Sequence, residues 1–440
     1  MACADDEGPD EDPGDMATTD MAAPDLGMMD SGMVDAGMPD AGGEPGPDAP
    51  TFGVVRGDFS TTSIAVLAPD GSILDPAILD SGSTPPGLTT ALSGDVVLAN
   101  VRPADGVLNI VDRLMTDAVT RFEISTETVL GQVSAQPSES FASNPQDFAL
   151  VADDSGWISR FNVNLDETAD PLDQGNDIVE FDPTTFELTG ERVDLSSFDS
   201  TGTAQTDDGP AEVDVFARPG LVALRGDTLV VGLTLLSFGF DAASQGFVAL
   251  VDVETSNVVG LELPEGLQNC GDARVVPETS DLVMIGCQGF AQPFGDPPQV
   301  RASSGVVVVR VSEDGAGEIV STWRPNADES LALSVQNVLP IDEFTFVGNE
   351  FGAFGVSGDE IFVVDIEADT QALLFEADEA FSVGIPAFDP ETGLLILPDA
   401  SASDGGLRRF TLGADGPFTP LETITFTDGP LPPRRVYLLD

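Results

Sequence analysis

Seven times along this chain of 440 residues, an alternating apolar run ends in a four-residue turn and a second apolar run follows. The last apolar residues before these turns are Leu67, Ile124, Phe181, Val253, Val311, Ile366 and Leu412. The intervals range from 46 residues (366 to 412) to 72 residues (181 to 253). A period of roughly fifty residues built from hairpins is typical of a β-propeller or a β-solenoid.

A second pattern, a turn residue followed by a short apolar strand, lies between the hairpins and also occurs seven times. Its copies begin at Asp95, Asp147, Asp227, Asp281, Glu343, Gly393 and Arg435. The first hairpin has no such strand before it, and the last such strand has no hairpin after it. Pairing of 436–439 in one sheet with 63–68 would complete a blade, close the ring and remove its open edges. A solenoid would need capping ends instead.

The sequence therefore predicts an all-β fold, a seven-bladed β-propeller of four-stranded blades closed by N- and C-terminal strands in one blade. The first fifty residues differ from the rest. They hold fourteen acidic residues and no basic one, and Asp recurs every five residues from Asp15 to Asp40. They contain no Phe, Trp, Tyr or Ile, so they cannot bury enough apolar surface to fold. We predict a disordered acidic tether over residues 1–50 and the propeller over residues 51–440.

The dipeptide Ala2-Cys3 resembles the end of a bacterial lipobox, in which a small residue precedes a lipidated cysteine. An acidic spacer rich in Gly and Pro often follows such a cysteine. We therefore predict lipidation at Cys3 and a place at the cell envelope, as an outer-membrane lipoprotein or outside the cell, with two acyl chains as the anchor. The expected apolar signal segment is missing, so either the chain was trimmed or its start lies within the signal. The alternative is a cysteine without a role near a disordered end.

The other two cysteines, Cys270 and Cys287, lie seventeen positions apart. Cys287 ends a short apolar strand and Cys270 lies in the turn before it. In an exported protein such a local pair is expected to form a disulfide. The alternative is a pair of half-buried thiols.

The charge of the chain excludes several functions. Seventy-seven acidic residues face sixteen basic ones, all Arg, for a net charge of −61. Nucleic acid is excluded as a partner because phosphate binding needs a basic surface, and a membrane contact is expected only through a lipid anchor. Without His or Lys, neither a Ser-His-Asp triad nor Schiff-base chemistry is available. The abundant carboxylates leave a two-carboxylate glycosidase open. Salt adaptation or a GC-rich genome would explain the composition equally well.

One acidic loop has the spacing of a calcium-binding loop. Its candidate ligands, at places 1, 3, 5, 7, 9 and 12, are Asn162, Asn164, Asp166, Thr168, Asp170 and Asp173. Calcium would be the cofactor. The loop departs from the pattern because Glu167 stands where a Gly makes the turn and Asp173 replaces the final Glu. The alternative is a solvated insertion within the second blade.

Three further insertions, at 194–212, 238–245 and 290–304, are candidates for a working surface on one rim of the ring. Loops carry binding while blades hold the shape. Their mixture of Phe, Pro, Ser and Asp suits contact with a protein or a glycan at the cell surface. We expect the chain to be a monomer.

The repeats resemble those of the YVTN-type, lactonase-like seven-bladed propellers. The matching segments are Val97-Leu-Ala-Asn100, Leu250-Val-Asp-Val-Glu-Thr255 and, less completely, Phe362-Val-Val-Asp-Ile-Glu367. The resemblance covers residues 52–440 and implies architecture more strongly than activity, because this fold serves enzymes, electron carriers and scaffolds. Lactonases of this kind that use His cannot be matched here.

Two functional hypotheses follow. The first is an exported, lipid-anchored propeller that acts as a non-catalytic binding or scaffold protein at the cell envelope. The alternative is a calcium-dependent, lactonase-like hydrolase whose carboxylate and Asn ligands lie in the central channel. Asp or Asn side chains from several inner strands that converge on one point would favour the enzyme.

Overall fold

A computed structural model describes residues 49–99, 106–113, 116–138, 141–166, 168–206, 208–291, 297–325, 334–403, 405–413 and 417–439. The predicted tether and Cys3 therefore lie outside the described residues, apart from positions 49 and 50. The described chain forms seven antiparallel sheets, which are the blades of a seven-bladed β-propeller. The all-β fold class is confirmed.

Blade 1 joins the two ends of the ring. From the channel outward, its strands are β29 (Pro433–Leu438), β1 (Phe52–Gly57), β2 (Thr62–Leu67) and β3 (Ile73–Asp80). Phe52 lies opposite Leu438, and Leu439 N–H donates to the Thr51 carbonyl at 2.9 Å. Closure by both termini is confirmed, but the N-terminal side supplies three strands, because β1 precedes the hairpin that the sequence pattern left without a partner.

Blades 2 and 3 have four strands each. Blade 2 contains β4 (Val96–Leu98), β5 (Val107–Asp112), β6 (Ala118–Glu123) and β7 (Thr128–Ser134). Blade 3 contains β8 (Pro145–Ala152), β9 (Ser155–Val163), β10 (Gly175–Asp182) and β11 (Glu187–Asp194). Short 3-10 helices at Pro171–Asp173 and Ser196–Phe198 lie in the connections.

Blade 4 has five strands, so the prediction of four strands in every blade is wrong here. They are β12 (Ser200–Thr206), β13 (Gly209–Arg225), β14 (Thr228–Ser237), β15 (Phe247–Asp252) and β16 (Val258–Glu262). The first part of β13 pairs with β12, and its second part is the inner strand of the blade. The segment interpreted as an insertion loop at 194–212 is therefore largely a hairpin that lengthens the sheet.

Blades 5 to 7 complete the ring. Blade 5 contains β17 (Asp272–Val275), β18 (Leu282–Cys287), β19 (Gly305–Val311) and β20 (Gly317–Trp323), with helix α1 (Pro297–Ser303) between its second and third strands. Blade 6 contains β21 (Val338–Pro340), β22 (Thr345–Glu350), β23 (Glu360–Asp365) and β24 (Thr370–Glu376). Blade 7 contains β25 (Ala387–Asp389), β26 (Leu394–Asp399), β27 (Gly406–Leu412) and β28 (Phe418–Pro420).

The core lies between neighbouring blades. The central strands of each blade are apolar on both sides, as in β19, where Val306 to Val309 are all fully buried. Each such strand packs against two blades at once, which explains why its apolar residues run on rather than alternate. None of the helices in the described part of the chain combines the length and apolar character that crossing a bilayer requires.

Candidate functional site

The topology places the long connections at one end of the ring. In an antiparallel blade, the connection after the second strand and the link to the next blade leave from the same end. We call this end the loop face and the other end the turn face. The loop face carries the described residues of the connections at 164–174, 238–246, 288–304 and 351–359 and of the β12–β13 hairpin. The insertions predicted to form a working surface therefore share one face.

Carboxylates of the inner strands are used to join neighbouring blades. Asp147, at the start of blade 3, accepts a hydrogen bond from Val222 N–H of blade 4 at 3.1 Å. Asp272 of blade 5 accepts one from Val338 N–H of blade 6 at 2.7 Å and one from Arg274 Nε at 2.9 Å. These carboxylates are buried and hold backbone groups. Among the described residues, no group of three or more acidic or Cys side chains could hold a metal ion.

A cavity of about 270 Å³ opens at the channel end on the loop face, and we call it the mouth cavity. Its wall combines residues of blades 1, 2, 6 and 7. They include Thr62, Asp95, Asn337, Arg434 and Arg435 together with the rings of Phe59, Phe351 and Phe381. Only closure of the ring brings these distant segments together.

Three arginines meet beside this cavity. Arg113 pairs with Asp95 and donates to Gln146 Oε1 at 3.3 Å. Burial, and then the charge of Arg435, lower the pKa of Arg113. Arg434 donates its Nε to the Gly57 carbonyl at 3.1 Å, and its guanidinium lies 5.0 Å from the centre of the Phe59 ring. Burial lowers the pKa of Arg434. The mouth is thus a local concentration of positive charge in a strongly acidic chain.

Aromatic rings surround the mouth on the loop face. The Phe381 ring lies 4.9 Å from Phe351 and 4.7 Å from Phe354, measured between centroids. Phe354 is 81% exposed and Phe59 is 74% exposed. Neighbouring Val356 is exposed as well. These side chains form an exposed apolar patch next to the three arginines.

A second aromatic group lies on the loop face between blades 3 and 4. Arg218, only 3% exposed, lies 5.2 Å from the Phe161 ring centre and 4.7 Å from that of Phe240. Burial lowers the pKa of Arg218 to about 10. It donates to the Ser237 carbonyl at 3.2 Å and forms no ion pair with any described carboxylate. Its packing therefore orders the exposed ring of Phe240.

Three of these phenylalanines share an uncommon backbone conformation. Phe59, Phe240 and Phe381 have φ values of 66°, 58° and 60°. A bulky side chain in this left-handed region costs of order 1–3 kcal/mol, and such residues concentrate at functional sites. Phe186, in the β10–β11 turn on the other face, has a φ of 55° as well, so it is the combination of strain with exposure that distinguishes the three phenylalanines of the loop face.

The predicted calcium loop lies on the loop face, where most of its polar groups bond within the loop and the buried Oδ1 of Asp173 has no hydrogen-bond partner among the described residues. Asp166 Oδ1 accepts bonds from Thr168 N–H and its hydroxyl, which lower the pKa of Asp166. Asp170 caps the following 3-10 helix by accepting from Leu172 N–H. Asn164 Nδ2 donates to the Asp173 carbonyl at 2.9 Å. The side-chain amide of Asn162 donates to the carbonyl of Ala142, away from the loop. The bonds of Asp166 and Asp170 favour the alternative, a solvated insertion, while calcium binding at these residues stays an untested prediction.

Cys270 and Cys287 form the predicted disulfide, and both are fully buried between blades 4 and 5. The bond joins the approach to the inner strand with the end of the second strand of blade 5. It therefore fixes the channel side of that blade and carries no exposed thiol. Lipidation of Cys3 falls outside the described residues.

A larger cavity of about 590 Å³ lies between the outer strands of blades 6 and 7. Its walls are mainly apolar, with Leu374, Phe375 and Phe410 among them. Arg408 is paired with Asp399, and Arg409 donates to two backbone carbonyls. Both arginines at this cavity thus already have partners, and the mouth cavity is the better candidate site.

The arginines and most of the phenylalanines of the mouth were not among the residues singled out from the sequence. Two signals could have found them. Phe59 and Phe354 each stand beside Gly or Asp in a connection, where a large apolar residue is unexpected. The adjacent pair Arg434-Arg435 is one of two such pairs, with Arg408-Arg409, in a chain with sixteen basic residues.

Comparison with solved structures finds similar folds at low sequence identity. The putative 6-phosphogluconolactonase of Bacteroides fragilis has a TM-score of 0.52 and 11% identity, covering 90% of this chain and 100% of that one. The fold is that of a lactonase-like seven-bladed propeller. A hypothetical selenium-binding protein from Sulfolobus tokodaii has a TM-score of 0.55 and 13% identity, covering 89% and 93%. No protein-family profile matches the sequence, and no curated protein matches it. The resemblance predicted from the repeats is confirmed for the fold.

Proposed function

We propose that this protein is an exported, lipid-anchored propeller that binds a partner protein on its loop face and catalyses no reaction. One observation carries the proposal. The exposed phenylalanines of the described chain are Phe59, Phe238, Phe240, Phe354 and Phe381, and all five lie on the loop face. Exposed apolar side chains gathered on one surface mark interaction sites.

The chemistry of these side chains favours a protein partner over a glycan. The aromatic residues that combine an apolar face with a hydrogen-bonding group are Tyr and Trp. Here both Trp and the single Tyr are buried, at Trp157, Trp323 and Tyr437. Phe offers apolar area alone, which suits an apolar patch on another protein. The net charge of −61 favours a basic rim on that partner.

The backbone strain supports the same interpretation. Gly would adopt the conformation of Phe381 without strain, so the phenyl ring is retained against a stability advantage. Rings needed only for folding would be expected in the core rather than at exposed, strained positions. The buried disulfide agrees with an oxidising compartment.

The alternative of a calcium-dependent, lactonase-like hydrolase draws on the names of two fold neighbours, putative 6-phosphogluconolactonases from Bacteroides fragilis and Bacteroides uniformis. The channel residues do not fit the metal that it requires. Asp147 and Asp272 use their oxygens for backbone N–H groups and Arg274, and Arg113 holds Asp95. A hydrolysis assay with δ-lactones, with and without calcium, tests this alternative, and we expect no turnover.

Site-specific photo-crosslinking in the native cell tests the docking face. A photoreactive phenylalanine analogue replaces Phe354 on the loop face or, as the matched control, Leu74, which is exposed near the turn face. We expect a discrete protein adduct from position 354 and none from position 74. Equal adducts from both positions, or none from position 354, would contradict the proposal.

The variant Phe381→Gly separates binding from folding. We expect its Tm to be unchanged or higher, because Gly relieves the strained φ, while the adduct yield from position 354 falls by about tenfold. An unchanged yield would mean that the aromatic patch does not bind the partner.

Lipidation is tested by mass spectrometry of the N-terminal peptide of the native protein. Cys3→Ser should move the protein from the membrane fraction to the soluble fraction.

A further inference from the structure

The mouth cavity holds polar groups that the fold itself leaves without partners. Eight arginines of the described chain pair with carboxylates. Arg435 forms no such pair with a described carboxylate, although its side chain lines the cavity. The hydroxyl of Thr62, which is 1% exposed, also lines the cavity and has no hydrogen-bond partner. Buried polar groups are almost always paired, so the partnerless Thr62 hydroxyl indicates a missing ligand, and the partly buried guanidinium of Arg435 offers donors at the same cavity.

The charges around the cavity favour an anion in spite of the net charge of the chain. Arg113, Arg434 and Arg435 approach from two blades, while Asp95 and Asp58 are the carboxylates that interact with them. Arg113 neutralises Asp95, and Asp58 accepts N–H bonds from Ser60 and Thr61. The local balance is therefore positive. The distant carboxylates are screened beyond about 10 Å at 0.1 M salt.

The volume and the lining of the cavity indicate what kind of ligand skeleton would fit beside the anionic group. Its volume of about 270 Å³ is small for a ligand site. The rings of Phe59 and Phe381 form its outer wall, and Val55, Val96 and Ile385 contribute apolar surface. Few groups there could bond the hydroxyls of a sugar. A flat apolar body with one anionic group fits these walls.

We propose that the mouth cavity binds a small aromatic carboxylate. The guanidinium of Arg435 receives the carboxylate, with Arg434 beside it, and the Thr62 hydroxyl donates a hydrogen bond to it. The aromatic ring lies between Phe59 and Phe381. Arg434 already uses Nε on the Gly57 carbonyl, and the apolar walls of the cavity suit a single carboxylate on an apolar body better than a phosphate dianion. This site goes beyond the proposed docking of a protein and does not depend on it.

Calorimetric titration of the full chain with 3-phenylpropionate tests the site. We expect binding, and about 10- to 100-fold weaker binding of the neutral isostere 3-phenylpropionamide, which lacks the charge-assisted hydrogen bonds. Inorganic phosphate and gluconate should bind at least tenfold more weakly than 3-phenylpropionate. Equal affinity for the amide, or for phosphate, would overturn the proposal.

Two variants assign the contacts. Arg435→Gln should weaken binding of 3-phenylpropionate about 10- to 100-fold, whereas Arg310→Gln should leave it unchanged, because Arg310 lies near the turn face paired with exposed Asp281. Arg435 is part of the closing strand β29, so a melting curve checks that its variant folds. Thr62→Val is nearly isosteric and should weaken binding about three- to tenfold. Unchanged affinity for 3-phenylpropionate in Arg435→Gln or in Thr62→Val would overturn the assignment of these contacts.

A final comparison distinguishes the sources of such a carboxylate. The tripeptide Ala-Ala-Phe with a free C-terminus carries the same group as a free aromatic acid. Tighter binding of the tripeptide than of 3-phenylpropionate would identify a peptide end as the source. Weaker binding would identify a free aromatic acid.

Discussion

Replacing Asp272 by Ala tests whether the channel carboxylates are structural. The side chain is buried and accepts Val338 N–H at 2.7 Å and Arg274 Nε at 2.9 Å. Its loss leaves a buried N–H unpaired, which costs about 1–3 kcal/mol. It also leaves the buried guanidinium of Arg274 without a counter-charge, which costs about 3–5 kcal/mol. The expected loss in free energy of unfolding is therefore about 4–8 kcal/mol.

The corresponding fall in Tm follows from the unfolding entropy. At about 2.1 cal/mol/K per residue over roughly 390 residues, the entropy is about 0.8 kcal/mol/K. Asp272→Ala should thus lower the Tm by about 5–10 °C. Asp272→Asn keeps an acceptor for Val338 and should lower it by about 4–6 °C. Adding Arg274→Met to Asp272→Asn removes the unpaired charge and should restore most of the loss.

Differential scanning calorimetry of the full chain measures these shifts. Asp281→Ala is the control, because its pair with Arg310 is half exposed and contributes about 0–1 kcal/mol. A Tm of Asp272→Ala within 2 °C of the parent would refute the structural role. It would also mean that the fold does not depend on this carboxylate, which would make it a candidate metal ligand and support the hydrolase alternative.

Three further outcomes are expected. Removing residues 433–440 leaves the edge of β1 open, so the chain should form oligomers in size-exclusion chromatography with light scattering; a stable monomer would contradict the closure. Burial raises the pKa of Asp112, Asp117, Asp199 and Glu350, so these four groups bind protons more readily in the folded protein than in the unfolded chain, and their contribution to stability should rise as pH falls from 7 towards the ordinary carboxyl pKa values near 4. Asp117→Asn should flatten this rise in Tm. If Tm depends on pH as steeply as in the parent protein, Asp117 does not contribute to the rise. The Tm should be equal in calcium and sodium chlorides of matched ionic strength, because the oxygens of Asp166 and Asp170 hold local turns; a calcium-specific rise that Asp166→Ala with Asp170→Ala abolishes would instead establish the loop as a metal site.

The repeat of the outer hairpins could be predicted because it is local. All seven predicted turns join the two outermost strands of a blade, from β2–β3 to β27–β28. The short-strand pattern is less uniform, since it marks the inner strand in blades 1 to 3 and the second strand in blades 4 to 7. Inner strands such as β17, β21 and β25 have three or four residues and leave no periodic signal.

The hairpin of β12 and β13 could not be predicted from the sequence for a different reason. Strand β12 is rich in Ser, Thr and Gly and has Ala204 as its one apolar residue, so no apolar alternation marks it, although Ala211, Val213 and Val215 alternate with acidic residues in β13. The hairpin forms because β13 continues from the inner strand of blade 4 and offers an edge to β12. The disulfide could be predicted from the short spacing of Cys270 and Cys287, which places Cys270 just before β17 and Cys287 at the end of the adjacent strand β18.

The mouth cavity could not be predicted, because its residues come from opposite ends of the chain. Arg113 and Arg435 interact only after β29 joins blade 1. Exposure of a side chain such as Phe354 is also a tertiary property, and the sequence pattern alone would place a phenylalanine in the core. The residues most informative for function are thus the ones that ring closure assembles.

Blade 1 takes three strands from the N-terminal part of the chain and one from the C-terminal part. This composition sets the order in which its strands become available during biogenesis. β29 follows the other twenty-eight strands of the described residues, so blade 1 acquires its inner strand last, whether the chain emerges from a ribosome or from an export channel. The contact from Phe52 to Leu438 spans 386 residues (438 − 52), which makes it slow to form. Its entropic penalty grows only with the logarithm of that distance. Until β29 pairs with β1, the edge of β1 is open. A chaperone that shields strand edges would therefore act on the N-terminal part of this protein, and it would do so long after that part was synthesised.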